Sequence, residues 1–283
     1  KMYCHSKSHQ LLKVVSDIQL ISCFQQEIAF STASSTFIVK QSSCYELPQQ
    51  ADKPTKSLCF FDMNTIVTGH DQQLQITDLR SNQQQIYTNF ASESIYRLAK
   101  TPNNQLICAC DLSENTLNVV DLRNPLQPLN QLSLHSEFVT KIFCLHDYFY
   151  SADEGGNIYK LEYDGKTVLN RIKFNRSQQM IDIDYNFQKD YFLILLENNI
   201  IKQTEFEVFD DIENDPDKTP YHGLLFCQNY SRTVFYNNAE VIFCDELCDD
   251  YGEYIKTTDA DCITSAFQQG VLFTDGPTLL YNV

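Results

Sequence analysis

The sequence predicts an all-β fold, a seven-bladed β-propeller whose last blade is closed by an N-terminal strand. Three observations carry that prediction. A spacing of about forty residues recurs along the chain, its segments are short and rich in β-branched and aromatic residues, and an apolar segment ahead of the first unit complements a strand missing from the last.

The recurring element is an apolar strand, a turn, and a second apolar strand that often ends in polar residues. The second strands fall at 37–39, 74–76, 117–119, 158–161, 200–201, 241–243 and 279–281. With Phe37, Leu74, Leu117, Ile158, Ile200, Val241 and Leu279 taken as equivalent, the steps are 37, 43, 41, 42, 41 and 38 residues. Each follows a strand of similar character, at 27–31, 64–68, 105–110, 148–152, 191–196, 233–236 and 271–274, and further strands precede these at 55–61, 94–100 and 139–145. Asn, Asp and Gly break the segments too often for helices. Three or four strands per forty residues make one propeller blade. The expected blades are 18–49, 55–89, 94–134, 137–175, 178–209, 220–257 and 259–283, a single domain across 1–283. Segments 49–54 and 210–220 read as extended loops. The last unit lacks an outer strand, and segment 10–16 is expected to supply it, which removes an open edge.

Composition narrows the function classes. The chain has 283 residues and 43% hydrophobic content, enough for a globular core, and no apolar run approaches a membrane span. No basic region followed by an apolar stretch opens it, so no signal peptide is expected. The net charge of −16 argues against unaided nucleic-acid binding and against attraction to an anionic membrane. Eleven cysteines in a long chain without a leader fit reduced thiols, in an intracellular setting that is cytoplasmic, ciliary or nuclear. Gln and Asn total 43 residues, dispersed rather than in prion-like tracts.

The residues also carry a family resemblance. His135-Ser-Glu-Phe-Val139-Thr-Lys-Ile142, with Tyr150 through Glu162 after it, resembles one WD repeat. The stretch from Gly69 to Arg80 resembles the second half of another, and Thr116 to Arg123 part of a third. The family ends its third strand with Trp-Asp. The acid position here reads Gln41, Asp78, Asp121, Glu162, Thr204, Asp245 and Val283, and Thr77, Val120, Leu161 and Cys244 stand where tryptophan would, the chain having none. The resemblance implies a buried His–Asp hydrogen-bond network, which only the fourth unit can carry, through His135 with Asp153 or Glu154. Elsewhere the blades must be held by packing.

The chemistry-bearing motifs mostly resolve to structure. Cys108 and Cys110 share one strand face, as two metal thiolates would, but cysteine also suits the small positions of a tightly packed strand. Cys244 with Cys248 lacks a matching second pair, and Cys4-His5 with His9 lies in the terminal segment, where chains tend to fray. The run Asp210 to Asp217 has the acids of a calcium loop without its glycine or closing glutamate. No metal and no cofactor are expected. No nucleophile elbow and no phosphate-binding glycine loop occurs, so the chain is expected not to be an enzyme.

Two features point to partners. Asp78-Leu-Arg80 and Asp121-Leu-Arg123 end the third strands of consecutive units. They are similar to the Asp-x-Arg motif of WD-repeat substrate receptors of cullin-RING ubiquitin ligases. Between residues 205 and 261 there are 15 acids and 3 bases, among them Asp210, Asp211, Asp249 and Asp250, a field suited to a basic partner. The expected function is a non-catalytic protein-interaction scaffold, a propeller subunit of a larger assembly, ciliary complexes being one setting, that binds several proteins at once and neither membrane nor nucleic acid directly. The alternatives are a cullin-RING substrate receptor acting through the two Asp-x-Arg motifs, and a hydrolase or transferase with a site at a channel mouth.

Overall fold

The computed structural model is all-β, with 29 strands and no helix among the described residues. It describes the backbone of these strands and of most connections between residues 43 and 196, and side chains chiefly between residues 27 and 196. Two compact units result, one of Lys1–Ile21, Val39–Cys44 and Ser177–Val283, the other of Ser22–Ile38 and Tyr45–Arg176.

The strands sort into consecutive sheets, each linked in chain order. The first holds Ile18–Phe24, Glu27–Thr32, Thr36–Lys40 and Ser43–Glu46, the second Ser57–Asp62, Thr65–Gly69, Gln73–Asp78 and Gln83–Thr88. The third holds Ile95–Lys100, Gln105–Cys110, Leu117–Asp121 and Asn130–Leu132, the fourth Val139–Leu145, Tyr148–Asp153, Asn157–Glu162 and Val168–Lys173. Met180–Asn186, Tyr191–Leu196, Asn199–Gln203 and Val208–Glu213 make the fifth. Gly223–Cys227, Arg232–Tyr236, Val241–Cys244 and Tyr254–Ile255 make the sixth, and Cys262–Phe267, Gly270–Asp275 and Thr278–Asn282 a three-stranded seventh.

Within the unit that holds Tyr45–Arg176, the first strands of the second, third and fourth sheets lie side by side, and in the other unit so do those of the fifth, sixth and seventh. Sheets that meet along their first strands stack face to face, as propeller blades do. The interleaved faces form the core. Ala29, Ile38, Leu47, Phe60 and Ile66 join the first and second sheets, Val67, Leu74, Ile95, Leu106 and Val120 the second and third, and Leu117, Val119, Val139, Ile142, Phe149 and Leu161 the third and fourth.

Small residues set how closely the sheets approach. A Cβ on Gly69 would lie 2.3 Å from Ser57 Oγ and 2.8 Å from Ile95 Cβ. The room left by its hydrogen lets the buried Ser57 hydroxyl donate across the seam to the Ile95 carbonyl at 2.7 Å. Gly165, at φ +66°, turns between the last two strands of the fourth sheet against Val119 of the third.

Two expectations are revised. Asp210 to Glu213, expected to open a loop, instead finish the outer strand Val208–Glu213 of the fifth sheet, paired from Asn199↔Glu213 to Gln203↔Val208. Val208 and Ile212 supply strand-forming residues, and a sheet edge tolerates the acids between them. Leu11–Val15, expected to complete the last sheet, pairs antiparallel with Met2–His5, and it is Met2–His5 that runs beside Thr278–Asn282.

Candidate functional site

The two Asp-x-Arg motifs fold alike. Asp78 and Asp121 end the third strands of adjacent sheets, and each carboxylate Oδ1 accepts the backbone N–H of the arginine two residues on, at 2.8 Å for Arg80 and 2.9 Å for Arg123. This is the aspartate-stabilised turn that stops a strand cleanly. The turn carries each guanidinium back over its own carboxylate. Arg80 donates from Nη2 to Asp78 Oδ2 at 2.9 Å and from Nε to Oδ1 at 3.3 Å. Arg123 donates from Nε to Asp121 Oδ1 at 2.9 Å and from Nη2 to Oδ2 at 2.5 Å. The forked pairing holds both carboxyls well below the usual range, at about 2, and raises both arginines.

Each pair is locally neutral yet open. The side chains of Arg80 and Arg123 are 71% and 90% exposed. Beside the first pair, the Asn64 carbonyl accepts Leu79 N–H at 2.7 Å, which ties in the turn bearing Asp62 and the half-exposed Met63. The arrangement presents two fixed planar cations that can stack on a partner or exchange their aspartate for a partner's carboxylate.

The other candidate interaction residues fare differently. Asp210 and Asp211 sit on Val208–Glu213, opposite Lys202 and Ile201, with their side chains outside the described residues, and Asp249 and Asp250 lie outside them altogether.

The expected His–Asp network is present in the fourth sheet. His135 donates from Nδ1 to Asp153 Oδ2 at 2.8 Å, and its Nε2 is hydrogen-bonded to the Ser151 hydroxyl at 2.8 Å. Asp153 also accepts the backbone N–H of Asn157 at 2.9 Å and its side-chain amide at 3.0 Å, and Arg171 donates to Asn157 Oδ1 at 2.8 Å. Glu154 uses its backbone instead, donating to the Phe138 carbonyl. The sequence pattern missed Tyr159. Its ring meets the His135 ring edge-on at 4.9 Å, its hydroxyl donates to the Leu134 carbonyl at 2.8 Å, and Arg171 lies over it. It stands two residues before Leu161, on the same strand face, so a search confined to the tryptophan position passes it by.

Ser151, His135 and Asp153 thus form the hydrogen-bond chain of a serine nucleophile with its base. The His135 and Asp153 side chains have no exposure, and neither does Ser151. A nucleophile must reach its substrate, and this one faces packed protein, so the trio locks the sheet together.

Two of the described cysteines are shielded. Burial pushes the Cys59 thiol up to about 11 and the Cys144 thiol up to about 12, which suppresses the reactive thiolate. Cys108 and Cys110 fall in strand Gln105–Cys110, with side chains outside the described residues, as are those of Cys4, His5 and Cys244, while His9 and Cys248 lie outside altogether. Among the described residues no group of three or more His, Cys, Asp or Glu side chains is placed to hold a metal ion.

Comparison with known proteins speaks to the fold. No protein-family model matches the chain, and no curated protein sequence does. A chain from a crystal structure of a mitotic checkpoint complex superposes with a TM-score of 0.77 at 9% identity, covering 95% of this chain and 90% of that one. At that identity the likeness is one of fold, and 1505 solved chains share it, too many to single out one function. The likeness, with the consecutive four-stranded sheets, supports a β-propeller fold of the WD type.

Proposed function

We propose that this chain is a non-catalytic protein-interaction module, a propeller subunit of a multiprotein assembly. The observation that carries this reading is the contrast between its two polar constellations. The trio with catalytic geometry is sealed inside the fourth sheet, while the forked Asp78–Arg80 and Asp121–Arg123 pairs stand open at the ends of neighbouring sheets. Stacked sheets present turns at both ends, so several partners can dock at once. The likeness to a chain of a checkpoint complex accords with this at the level of fold. Affinity capture of the full chain from native lysate tests it. A stoichiometric set of co-purifying proteins is expected, and a chain recovered alone, with hydrolase or transferase activity, overturns it.

A second reading is a substrate receptor of a cullin-RING ligase. Its support is the pair of exposed arginines at equivalent turns of adjacent sheets. Arg80→Ala with Arg123→Ala should then abolish recovery of cullin and its adaptor. The acidic stretch 205–261 adds a third element, recognition of a basic partner. In that case association slows steeply with salt, and changing Asp210, Asp211, Asp249 and Asp250 to Asn lowers the on-rate more than it raises the off-rate.

A further inference from the structure

Three arginines are exposed among the described residues, Arg80, Arg123 and Arg171. Arg80 and Arg123 each carry their own aspartate. Arg171, on the outer strand of the fourth sheet, makes no ion pair among the described residues. It is nevertheless fixed in place. Its Nη2 donates to Asn157 Oδ1 at 2.8 Å, and its guanidinium lies 5.3 Å from the centre of the Tyr159 ring. Asn157 is itself buried and bonded to Asp153. A cation already held in one geometry loses little freedom when a partner arrives.

Register sets this arginine in a row. Leu161, Tyr159 and Asn157 lie opposite Val168, Arg171 and Lys173. Residues directly opposite share a sheet face, as do alternate residues of one strand. Val168, Arg171 and Lys173 therefore follow one another on one face at steps of about 7 Å, the register shift at Lys160/Leu161 absorbing Leu169 as the extra residue. On that face Tyr159 and Leu161 pack with the third sheet, while Val168, Arg171 and Lys173 are exposed at its outer margin. Leu129, Val168 and Leu169 are three of the four large apolar side chains exposed among the described residues. Asn130, next to Leu129, donates to the Asp164 carbonyl in the turn that leads to Val168, so all three share one stretch of rim. The stretch is basic. Residues 165 to 181 hold four bases and no acid, in a chain of net charge −16. Glu162 alternates onto the opposite face, and Asp164 Oδ1 accepts Lys166 N–H at 2.8 Å within the turn.

We propose that this row binds an extended acidic segment of a partner protein, one that carries an apolar and two acidic side chains at alternate positions. The apolar side chain covers Val168, the first carboxylate pairs with Arg171 and the second with Lys173. An extended chain repeats its side chains at the same step of about 7 Å, so the three contacts form without a kink. Charge complementarity and the exposed apolar residues together choose this occupant. A nucleic acid or an anionic membrane is an extended polyanion, which the net charge of −16 repels. A second copy would have to offer acids from another part of its surface. That head-to-tail contact does not close, and each added copy brings another −16. The proposal deepens the interaction-module reading and rests on it.

The test uses the purified full chain and a fluorescent dodecapeptide with Leu-Thr-Glu-Thr-Glu at its centre and uncharged ends, followed by anisotropy. Saturable binding is expected. Arg171→Glu and Lys173→Glu should each weaken it by about tenfold or more. Lys173 is exposed, so its variant should melt as wild type and keeps the test independent of any change that Arg171→Glu makes at Tyr159. Lys166→Glu, the same change of charge placed in the turn off the row, should leave binding within about threefold. A peptide of the same composition with its two glutamates adjacent should bind about tenfold more weakly, because one carboxylate then points away from the row. The proposal is overturned if the peptide does not saturate, if Lys166→Glu weakens binding as much as Lys173→Glu, or if the rearranged peptide binds equally well. It is also overturned if phosphatidylserine vesicles or a single-stranded oligonucleotide bind the row more tightly than the peptide, or if the chain sediments as oligomers that Lys173→Glu disperses, the mark of a second copy. Lysate capture with the Lys173→Glu chain separates the two readings. Partners lost with this variant support the row as their docking site, and partners that still co-purify leave the module standing and remove the row from it.

Discussion

The second and fourth sheets solve one structural problem with different chemistry. Register makes them comparable. Leu74 lies opposite Gly69 and Ile158 opposite Ala152, so Thr68 corresponds to Ser151 and His70 to Asp153. In the fourth sheet a carboxylate stands at the turn and grips a histidine from the preceding segment. In the second a histidine stands at that turn. Its Nδ1 lies 3.2 Å from the Pro54 carbonyl, and its Nε2 3.0 Å from the Thr68 hydroxyl. Both sheets tie the incoming segment to the end of the second strand, one through a buried acid with four polar contacts, the other through a neutral ring and a backbone carbonyl. The station, rather than the residue, is what the fold preserves. In the third sheet the same register puts Cys108 and Cys110 at these two stations.

The sharpest way to break the comparison is to remove the acid. Asp153→Ala strands His135 Nδ1–H and the Asn157 amides inside the core. Loss of one partner from a buried charged network costs about 3–5 kcal/mol. A melting temperature within a few degrees of wild type would mean that the network is decorative and that packing alone holds the fourth sheet. The equivalent change in the second sheet, His70→Ala, leaves the Thr68 hydroxyl and the Pro54 carbonyl without the ring but strands no charge, and should cost about 1–3 kcal/mol.

The seam between the second and third sheets sharpens the other side, since there packing replaces polar grip. Gly69→Ala pushes a methyl into Ser57 Oγ and the Ile95 side chain and parts the hydrogen bond between them. Overpacking of this kind costs about 1–3 kcal/mol. Denaturant unfolding of Gly69→Ala beside Ser57→Ala separates steric strain from the lost bond. If the alanine at 69 costs no more than the alanine at 57, the close approach of the two sheets is not what matters.

These cases show why part of the molecule was legible in the sequence and part was not. The repeat of about forty residues is written in apolar strands, which every sheet needs, so strand order could be read directly, and the resemblance paired His135 with Asp153 or Glu154, between which the structure chooses Asp153. Tyr159 could not be read, because it meets His135 from a position two residues before the one where the repeat pattern places an aromatic ring. The fold of each Asp-x-Arg pair onto itself was also hidden. Spacing shows that Asp and Arg adjoin, but only the turn geometry brings the guanidinium back. Val208–Glu213 was masked by its charges, which read as loop when an edge strand can carry them.

A pH titration distinguishes the two tethers. Burial lowers the pKa of His70 below its ordinary 6.5. The folded state therefore binds this proton less readily than the unfolded state. The stabilisation is complete above pH 6.5 and is lost as the pH falls from there through the folded value. His70→Gln should flatten this part of the stability profile, measured by denaturant unfolding across mildly acidic pH. A profile of unchanged slope would show that the ring titrates alike in both states and that burial does not hold it neutral.

The smallest effects belong to the exposed pairs, and they test whether each arginine is held by its own aspartate. The hydrogen bonds from Arg80 and Arg123 keep the Asp78 and Asp121 carboxyls at about 2, against an ordinary 3.8. A depressed carboxyl contributes stability that is present above pH 3.8 and fades as the pH falls toward 2. Both pairs face solvent, so the contribution is small and salt screens it. Arg80→Ala with Arg123→Ala should leave the melting temperature at neutral pH unchanged within error. The carboxyl pKa values, followed by carbon NMR, should climb toward 3.8 without reaching it, because the backbone N–H bonds at 80 and 123 persist in the alanine turns. Values that stay near 2 would assign the whole depression to the turn and free the guanidinium groups for a partner. Values that climb would show that a docking carboxylate must first displace Asp78 or Asp121, so that partner binding is an exchange of acids on a fixed cation.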